Sequence, residues 1–377
     1  MRRKAGLRSE GDWIADRFEV FAVHPGGMGV VYVTHDRLGA AGRQVVALKT
    51  LRDEWLDDHD RRARFAAECR IWVQLGSHPN IVHAHEVAEI DGKPHIVLEL
   101  VTGGDLRKRI GSPTLDVVQA LRYGIQFCLG MEHAIRQGLR CHRDVKPGNL
   151  LVSVDGMLKI TDFGLAVIRD ELFESFDAGI SPQGIDLDEP VAPVPHYYSG
   201  VEGPPPDEAE KPPPAPKPEA ASAQAEHPSA NHSISDQDTS FTTGSNGESR
   251  SARVTQTGSL LGTLPYMAPE QFRDSKAVDS LADIYAFGIV LFEMLTHGTP
   301  FRGKTLAKYD RQHTKYAPPS VVPFIPKKYA REAGAIDEIV QRCLQKDPAH
   351  RYATPAELRL ALTRVLRRVD PHAAGHP

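Results

Sequence analysis

The hydrophobic pattern of the chain changes its period once, and this change constrains the fold more than any other feature. In residues 18–101 apolar and polar residues mostly alternate, as they do in β-strands, with one helical interruption. In residues 102–365 the apolar residues recur mainly at helical spacing. The pattern predicts an α+β protein with a small strand-rich lobe, a larger helical lobe, and tails at residues 1–17 and 366–377. A cleft between two lobes is where a small-molecule site is expected.

Individual elements follow from the same pattern. The predicted helix of the first lobe carries Phe65, Cys69, Trp72 and Val73 on or near one face. Asp91–Gly92 is a strong signal for a tight hairpin turn. The predicted strands are Phe18–Val23, Gly29–Asp36, Gln44–Leu51, Ile81–Ile90 and Lys93–Leu100, and the predicted helices are Arg61–Leu75, Thr114–Arg136, Asp279–His297, Ala335–Gln345 and Pro355–Arg368.

One acidic, proline-rich segment interrupts the second lobe. Residues 171–250 hold 13 of the 29 prolines and 15 of the 49 Asp and Glu residues, against three of the 45 Lys and Arg residues. Such a composition lacks the apolar residues that offset the entropy of ordering a chain, so we expect a disordered insertion. Because the motifs on its two sides belong together, we interpret the segment as an insertion inside one domain.

A glycine-rich turn and a lysine come first among the residues that carry chemistry. Gly26, Gly27 and Gly29 lie between two predicted strands, where glycine lets backbone N–H groups approach phosphates that a Cβ would keep away. Lys49 ends the buried run Val46–Lys49 and needs an anionic partner, which Glu68 on the following helix can supply. Neither signal is specific by itself.

The segments HRDVKPGN at 142–149 and DFG at 162–164 are more specific. Asp144, Asn149 and Asp162 offer oxygen ligands suited to Mg²⁺ and a base for a hydroxyl group, and Lys146 adds a cation. Phosphoryl transfer depends on alignment and on neutralising phosphate charge, and these residue types supply both.

These motifs resemble those of Hanks-type serine/threonine protein kinases of the bacterial style. The resemblance covers residues 18–365 apart from the insertion. It also includes HPNIV at 78–82, GTLPYMAPEQ at 262–271, DIYAFG at 283–288 and KDPAHRY at 346–352. It implies the two-lobed kinase fold, with the insertion inside the activation segment, and transfer of the γ-phosphoryl group of ATP to Ser and Thr hydroxyls with Mg²⁺ or Mn²⁺.

The resemblance also implies residue roles. Asp144 is the expected catalytic base, assisted by Lys146 near the γ-phosphate. Lys49, paired with Glu68, is expected on the α- and β-phosphates, and Asn149 and Asp162 on the metal. Glu270 and Arg351 are expected to pair structurally. The nucleotide is expected against Val23, Gly26, Gly27, Gly29, Val31, Ala47, Leu98, Glu99, Val101, Asp105 and Leu151, and phosphorylation is expected at Thr255, Thr257 and Ser259, with Arg143 receiving the phosphate.

One departure from the family pattern concerns the nucleotide site. His24 stands where the first glycine of the glycine-rich turn is usual. We expect weakened or altered ATP affinity rather than loss of activity.

Two alternatives stay open beside the catalytic interpretation. A pseudokinase scaffold would bind partners without phosphoryl transfer, and the insertion could dock partners through proline-rich segments such as Pro204–Pro206. We expect ATP and protein substrates as partners, and neither nucleic acid nor a membrane. No long apolar run or signal peptide is present, so a cytoplasmic location is expected. The sequence does not indicate an oligomeric state.

Overall fold

Six antiparallel strands form one sheet in the first part of the chain, and a helical part follows. The structure is a computed structural model and describes residues 7–26, 29–38, 44–163, 167–168, 262–273 and 278–372. All of these residues belong to one compact unit. The sheet contains β1 (Trp13–Ile14), β2 (Phe18–Pro25), β3 (Val30–Asp36), β4 (Gln44–Thr50), β5 (Ala84–Ile90) and β6 (Lys93–Glu99), in the order β1-β2-β3-β4-β6-β5.

The helical part carries five α-helices and two small strand pairs among the described residues. Helix α1 (His59–Leu75) is the helix of the first lobe. The remaining elements are α2 (Val117–Arg136), β7 (Leu139–Cys141), β8 (Leu150–Val152), β9 (Leu158–Ile160), β10 (Val167–Ile168), α3 (Ser280–Thr296), α4 (Leu306–Lys315), α5 (Ala333–Cys343) and α6 (Pro355–Val369). Strand β8 pairs with β9, and β10 pairs with β7.

The predicted elements are present, with ends set by local capping. Helix α2 begins at Val117 because the Asp116 side chain accepts a hydrogen bond from the Gln119 backbone N–H. The predicted hairpin is confirmed, since Asp91 and Gly92 have φ of 54° and 74°, as a type I′ turn requires. The hydrophobic pattern did not predict the two-residue strand β1, helix α4 or the short strands of the helical part.

Helix α1 buries the predicted face with one exception. Phe65, Cys69 and Trp72 are buried, but Val73 is 65% exposed. Residue 73 lies about 100° around the helix from Trp72, which turns its side chain away from the core. Val73 therefore lies at the edge of the predicted face and not among its buried residues.

The two faces of the sheet contact different apolar clusters. The face that we call inner carries Ala47, Ile96 and Leu98, which belong to the main core shared with α1 and the helical part. The opposite face, which we call outer, carries a separate small cluster formed by Ile14, Phe18, Val20, Val30, Tyr32, Val46, Leu48, Ile90 and Val97. The inner face is therefore the one turned toward the rest of the molecule.

A buried ion pair fixes the helical part, as expected for Glu270 and Arg351. The Arg351 side chain is 0% exposed. Its Nη1 and Nη2 donate to Glu270 Oε1 and Oε2 at 2.7 and 2.8 Å. It also donates to the backbone carbonyls of Leu281, Gln345 and Lys346.

We expect Arg351→Met to destabilise the fold by about 3–5 kcal/mol, because it leaves a partly buried carboxylate and three backbone carbonyls without their donor. Chemical denaturation measures the loss. Arg122→Met, which breaks the more exposed Arg122–Asp370 pair, is the matched control and should cost at most about 1 kcal/mol. Equal losses in the two variants would contradict this role of Arg351.

Among the described residues, no helix combines the length and apolar character that crossing a membrane requires.

Candidate active site

Lys49 lies between two carboxylates beneath the sheet. It stands on β4 opposite Ile96 of β6, which places it on the inner face. Its Nζ donates to Glu68 Oε1 at 2.5 Å and to Asp162 Oδ1 at 3.1 Å. Glu68, on α1, is only 2% exposed. The predicted pairing of Lys49 with Glu68 is confirmed, and it is a buried pair rather than a surface one.

The charges of this group depend on one another. Burial opposes the charge of Lys49, but the carboxylates of Asp162 and Glu68 outweigh it and raise the pKa of Lys49 above its ordinary value. Lys49 in turn lowers the pKa of Asp162. Burial raises the pKa of Glu68, although Lys49 acts against that rise. The ammonium of Lys49 and the carboxylate of Asp162 are therefore both charged at neutral pH.

Asp144 is surrounded by donors in the loop between β7 and β8. Lys146 Nζ donates to its Oδ1 and Oδ2 at 2.9 and 2.7 Å. Asn149 Nδ2 donates to its Oδ2 at 2.9 Å and to its backbone carbonyl at 2.8 Å. Thr263 Oγ1 donates to Asp144 Oδ1 at 3.1 Å and accepts from Lys146 Nζ at 3.0 Å. These bonds fix the direction of the carboxylate and bring Asp144, Lys146 and Asn149 together, as predicted.

A buried carboxylate on α3 holds this loop in place. Asp283 accepts from the backbone N–H groups of His142 and Arg143 at 2.8 and 2.9 Å. Arg143 has φ of 67°, a left-handed conformation that is costly for a non-glycine residue and persists only where contacts impose it. Asp283 belongs to the DIYAFG motif at 283–288, but its role was not predicted from the sequence. The available signal was a carboxylate in the first turn of a mostly apolar helix, because a buried charge requires hydrogen-bond donors.

Aromatic packing orients Asp162. The neighbouring Phe163 is fully buried, with its ring 5.0 Å from Trp72 and 4.8 Å from His142, between centroids. His142 Nε2 also lies 3.0 Å from the Thr161 carbonyl. Asp162 itself has φ of 64°. With Phe163 held in the core on one side, the carboxylate of Asp162 faces Lys49 on the other.

The predicted nucleotide wall is largely brought together. Ala47 and Leu98 are buried in the main core, and Val31, Val101 and Leu151 pack against it. Val23 is not brought to this wall, because it is opposite Tyr32 in the β2–β3 register and packs against the outer cluster.

Two of the predicted polar contacts with the nucleotide have partners within the protein. Both carboxylate oxygens of Asp105 accept from the Arg107 guanidinium, at 3.0 and 2.8 Å. Glu99 Oε1 accepts from the His83 backbone N–H and from Lys159 Nζ, each at 2.8 Å. The side chain of Glu99 is thereby committed to protein partners, which leaves its backbone for the expected contact.

The glycine-rich turn is closed by its own backbone. The Gly26 N–H donates to the Gly29 carbonyl at 2.9 Å. A Cβ on Gly29 would lie 2.3 Å from the Thr50 carbonyl oxygen, so only glycine fits there. Gly27 lies outside the described residues, as do the insertion at 171–250, Thr255, Thr257 and Ser259.

The protein kinase domain family matches residues 23–174 and 239–360 of the chain. The chain is 28% identical to the probable serine/threonine-protein kinase PknB of Corynebacterium glutamicum, over 96% of this chain and 44% of that protein. It is 27% identical to the serine/threonine-protein kinase PrkC of Bacillus subtilis, over 92% of this chain and 40% of that protein. The chain thus spans less than half the length of these relatives.

A solved structure shares the fold. The kinase domain of PknI from Mycobacterium tuberculosis, in a cysteine-to-alanine variant, matches with a TM-score of 0.54 at 18% identity, over 95% of this chain and 99% of that one. The predicted α+β kinase fold is confirmed by this likeness together with the family match. The chain belongs to the protein kinase domain family.

Proposed function

We propose that the chain transfers the γ-phosphoryl group of ATP to Ser and Thr hydroxyl groups of proteins. Two clusters carry the proposal: the Lys49–Glu68–Asp162 group, and the carboxylate of Asp144, whose direction is fixed by Lys146 and Asn149. Lys49 and, more weakly, Lys146 lower the pKa of Asp162, so the two clusters interact electrostatically. The serine/threonine kinases among the relatives support the same activity.

Asp144 is the residue that receives the acceptor hydroxyl. Thr263 supports this role, because its own hydroxyl group already hydrogen-bonds to Asp144 and Lys146. A substrate hydroxyl in the same position would donate to the carboxylate and point its oxygen lone pair at the phosphate. Lys146 then neutralises charge near the transferred group, since the reaction gains mainly from alignment and electrostatics.

The residues at the cleft fit a divalent cation bound together with ATP. The Asn149 Nδ2 group is used by Asp144, which leaves its carbonyl oxygen as a ligand. Asp162 uses one carboxylate oxygen on Lys49 and can offer the other. Hard oxygen donors suit Mg²⁺, which is commonly held by one or two protein groups and by substrate phosphates. Held by Asn149 and Asp162, such a cation would neutralise negative charge on the phosphates.

The nucleotide is held by Lys49 on the α- and β-phosphates and by the apolar wall of Val31, Ala47 and Leu151 on adenine. The Glu99–Val101 backbone takes the polar edge of the base. Asp105 is a weaker candidate for the ribose, because Arg107 occupies its carboxylate.

The proposal also includes the division into lobes and the phosphorylation sites that were expected from the sequence. The lobes divide between residues 101 and 102. Phosphorylation at Thr255, Thr257 and Ser259 regulates the activity. Docking of partners on proline-rich segments of the insertion stays an alternative to a passive insertion.

Transfer of labelled phosphate from γ-labelled ATP to a generic basic protein tests the proposal. With Mg²⁺ or Mn²⁺ we expect label on Ser and Thr. With EDTA, or with Ca²⁺ as the only added cation, we expect little or none, because the aligned phosphates need a small hard cation. Full transfer in chelator would contradict the metal assignment. No transfer under any cation, with ATP still bound, would favour the pseudokinase scaffold.

A further inference from the structure

His24 is a polar side chain of the sheet with no role in the proposed function. It stands in β2, just before the glycine-rich turn, and is exposed. It is not among the described residues with positive φ, so its backbone does not need the glycine that is usual at this position. The position therefore accepts a side chain without backbone strain. The direction of that side chain decides whether it can reach a bound nucleotide.

A β-bulge in β2 determines this direction. Val20 lies opposite Thr34, but Ala22 lies opposite Val33, so Phe21 has no partner on β3. One extra residue in a strand makes every later side chain of that strand point to the face opposite to the one it would otherwise occupy. Had the first register continued, Val23 would be opposite Val31. With the bulge, His24 takes that place. The unpaired Phe21 rests edge-on against the His35 ring, with 4.9 Å between centroids.

Cross-strand partners show which face His24 shares. Residues directly opposite each other in antiparallel strands point to the same face. Val31 is opposite both His24 and Lys49, so His24, Val31 and Lys49 form one row on the inner face. Val23 belongs to the neighbouring row with Tyr32 and Leu48, and it packs against the outer cluster.

The row places His24 at the phosphate end of the cleft. Two strand spacings of about 4.8 Å separate its backbone from that of Lys49. Ala47, on the adenine wall, belongs to a different row with Val33 and Ala22. An imidazole carries an N–H donor in either neutral tautomer, and phosphate oxygens are strong acceptors.

We propose that His24 contacts the phosphate chain of the bound nucleotide, on the side opposite to Lys49, through an orientation set by the bulge at Phe21. This inference rests on the proposed nucleotide site. It reverses the sign of the effect expected from the sequence, because the histidine adds a contact with the nucleotide instead of weakening its binding.

Equilibrium binding of ATP, AMP and adenosine to the Mg²⁺-supplemented chain tests the inference. His24→Gly and His24→Ala should each raise the Kd for ATP about tenfold, the loss of one hydrogen bond to a charged group. The loss should be smaller for AMP, and the Kd for adenosine should change less than about twofold. Val23→Ala is the matched control, and it should lower the unfolding temperature while leaving the Kd for ATP within about twofold.

The outcomes separate this inference from the proposed function. Unchanged or tighter ATP binding by His24→Gly would overturn it, and so would equal losses for ATP and adenosine. A Val23→Ala variant that loses ATP affinity while His24→Gly does not would show that the bulge fails to turn Val23 away. A wild-type chain that binds no ATP would overturn both this inference and the proposed function.

Discussion

We expect Lys49→Met to lower kcat for protein phosphorylation by about 100-fold or more, the scale of losing a preorganised electrostatic donor. The Lys49 ammonium is held between Glu68 and Asp162 by bonds of 2.5 and 3.1 Å, so its position is set before ATP arrives. Methionine keeps the unbranched side chain as far as the ε position and removes the charged amine. Steady-state kinetics at saturating ATP measure the loss.

A second lysine in an ion pair supplies the control. Lys159 binds Glu99 at 2.8 Å with a similarly small exposed fraction, 16% against 12% for Lys49. It lies outside the proposed phosphate site, so Lys159→Met should keep kcat within a few-fold. Because Lys49→Met leaves Glu68 buried without its partner, thermal unfolding of both variants is measured in parallel. A folded Lys49→Met protein with near-normal kcat would show that the lysine is assigned wrongly.

Sequence patterns predicted the elements and the chemical groups of the site well, because both depend on local signals. Alternation and helical spacing located most strands and helices. The Lys49–Glu68 pair was suggested by a lysine at the end of a buried run, and the Glu270–Arg351 pair was implied only by the resemblance to kinases. Short elements such as β1 were not predicted, since two residues are too few to show a hydrophobic period.

The orientation of β2 could not be predicted, and the reason is physical. Alternation of apolar and polar residues identifies a strand but does not show where one residue is left without a cross-strand partner. In β2 that residue is Phe21, and the residues after it point to the opposite face from the one that the alternation predicts. Val23 was therefore expected on the adenine wall, and the structure places His24 on that face instead. The role of Asp283 was also missed, because its partners are backbone N–H groups about 140 residues earlier in the chain.

The central claim is that Asp144 orients a protein hydroxyl for attack on ATP. Asparagine has the same shape as aspartate, but only one of its two terminal atoms accepts a hydrogen bond. It also lacks the negative charge that pairs with Lys146. We expect Asp144→Asn to lower kcat by about 10²- to 10⁴-fold, the range for a positioned general base. The Kd for ATP should change less than about twofold, because the proposed partner of Asp144 is the acceptor hydroxyl and not the nucleotide.

Rapid-mixing measurement of phosphate transfer to a Ser/Thr substrate, alongside the Kd for ATP of each protein, tests the claim most directly. We predict fast transfer to Ser and Thr by the wild-type chain, and very slow transfer by Asp144→Asn despite normal ATP binding. Transfer by Asp144→Asn at the wild-type rate would contradict the account.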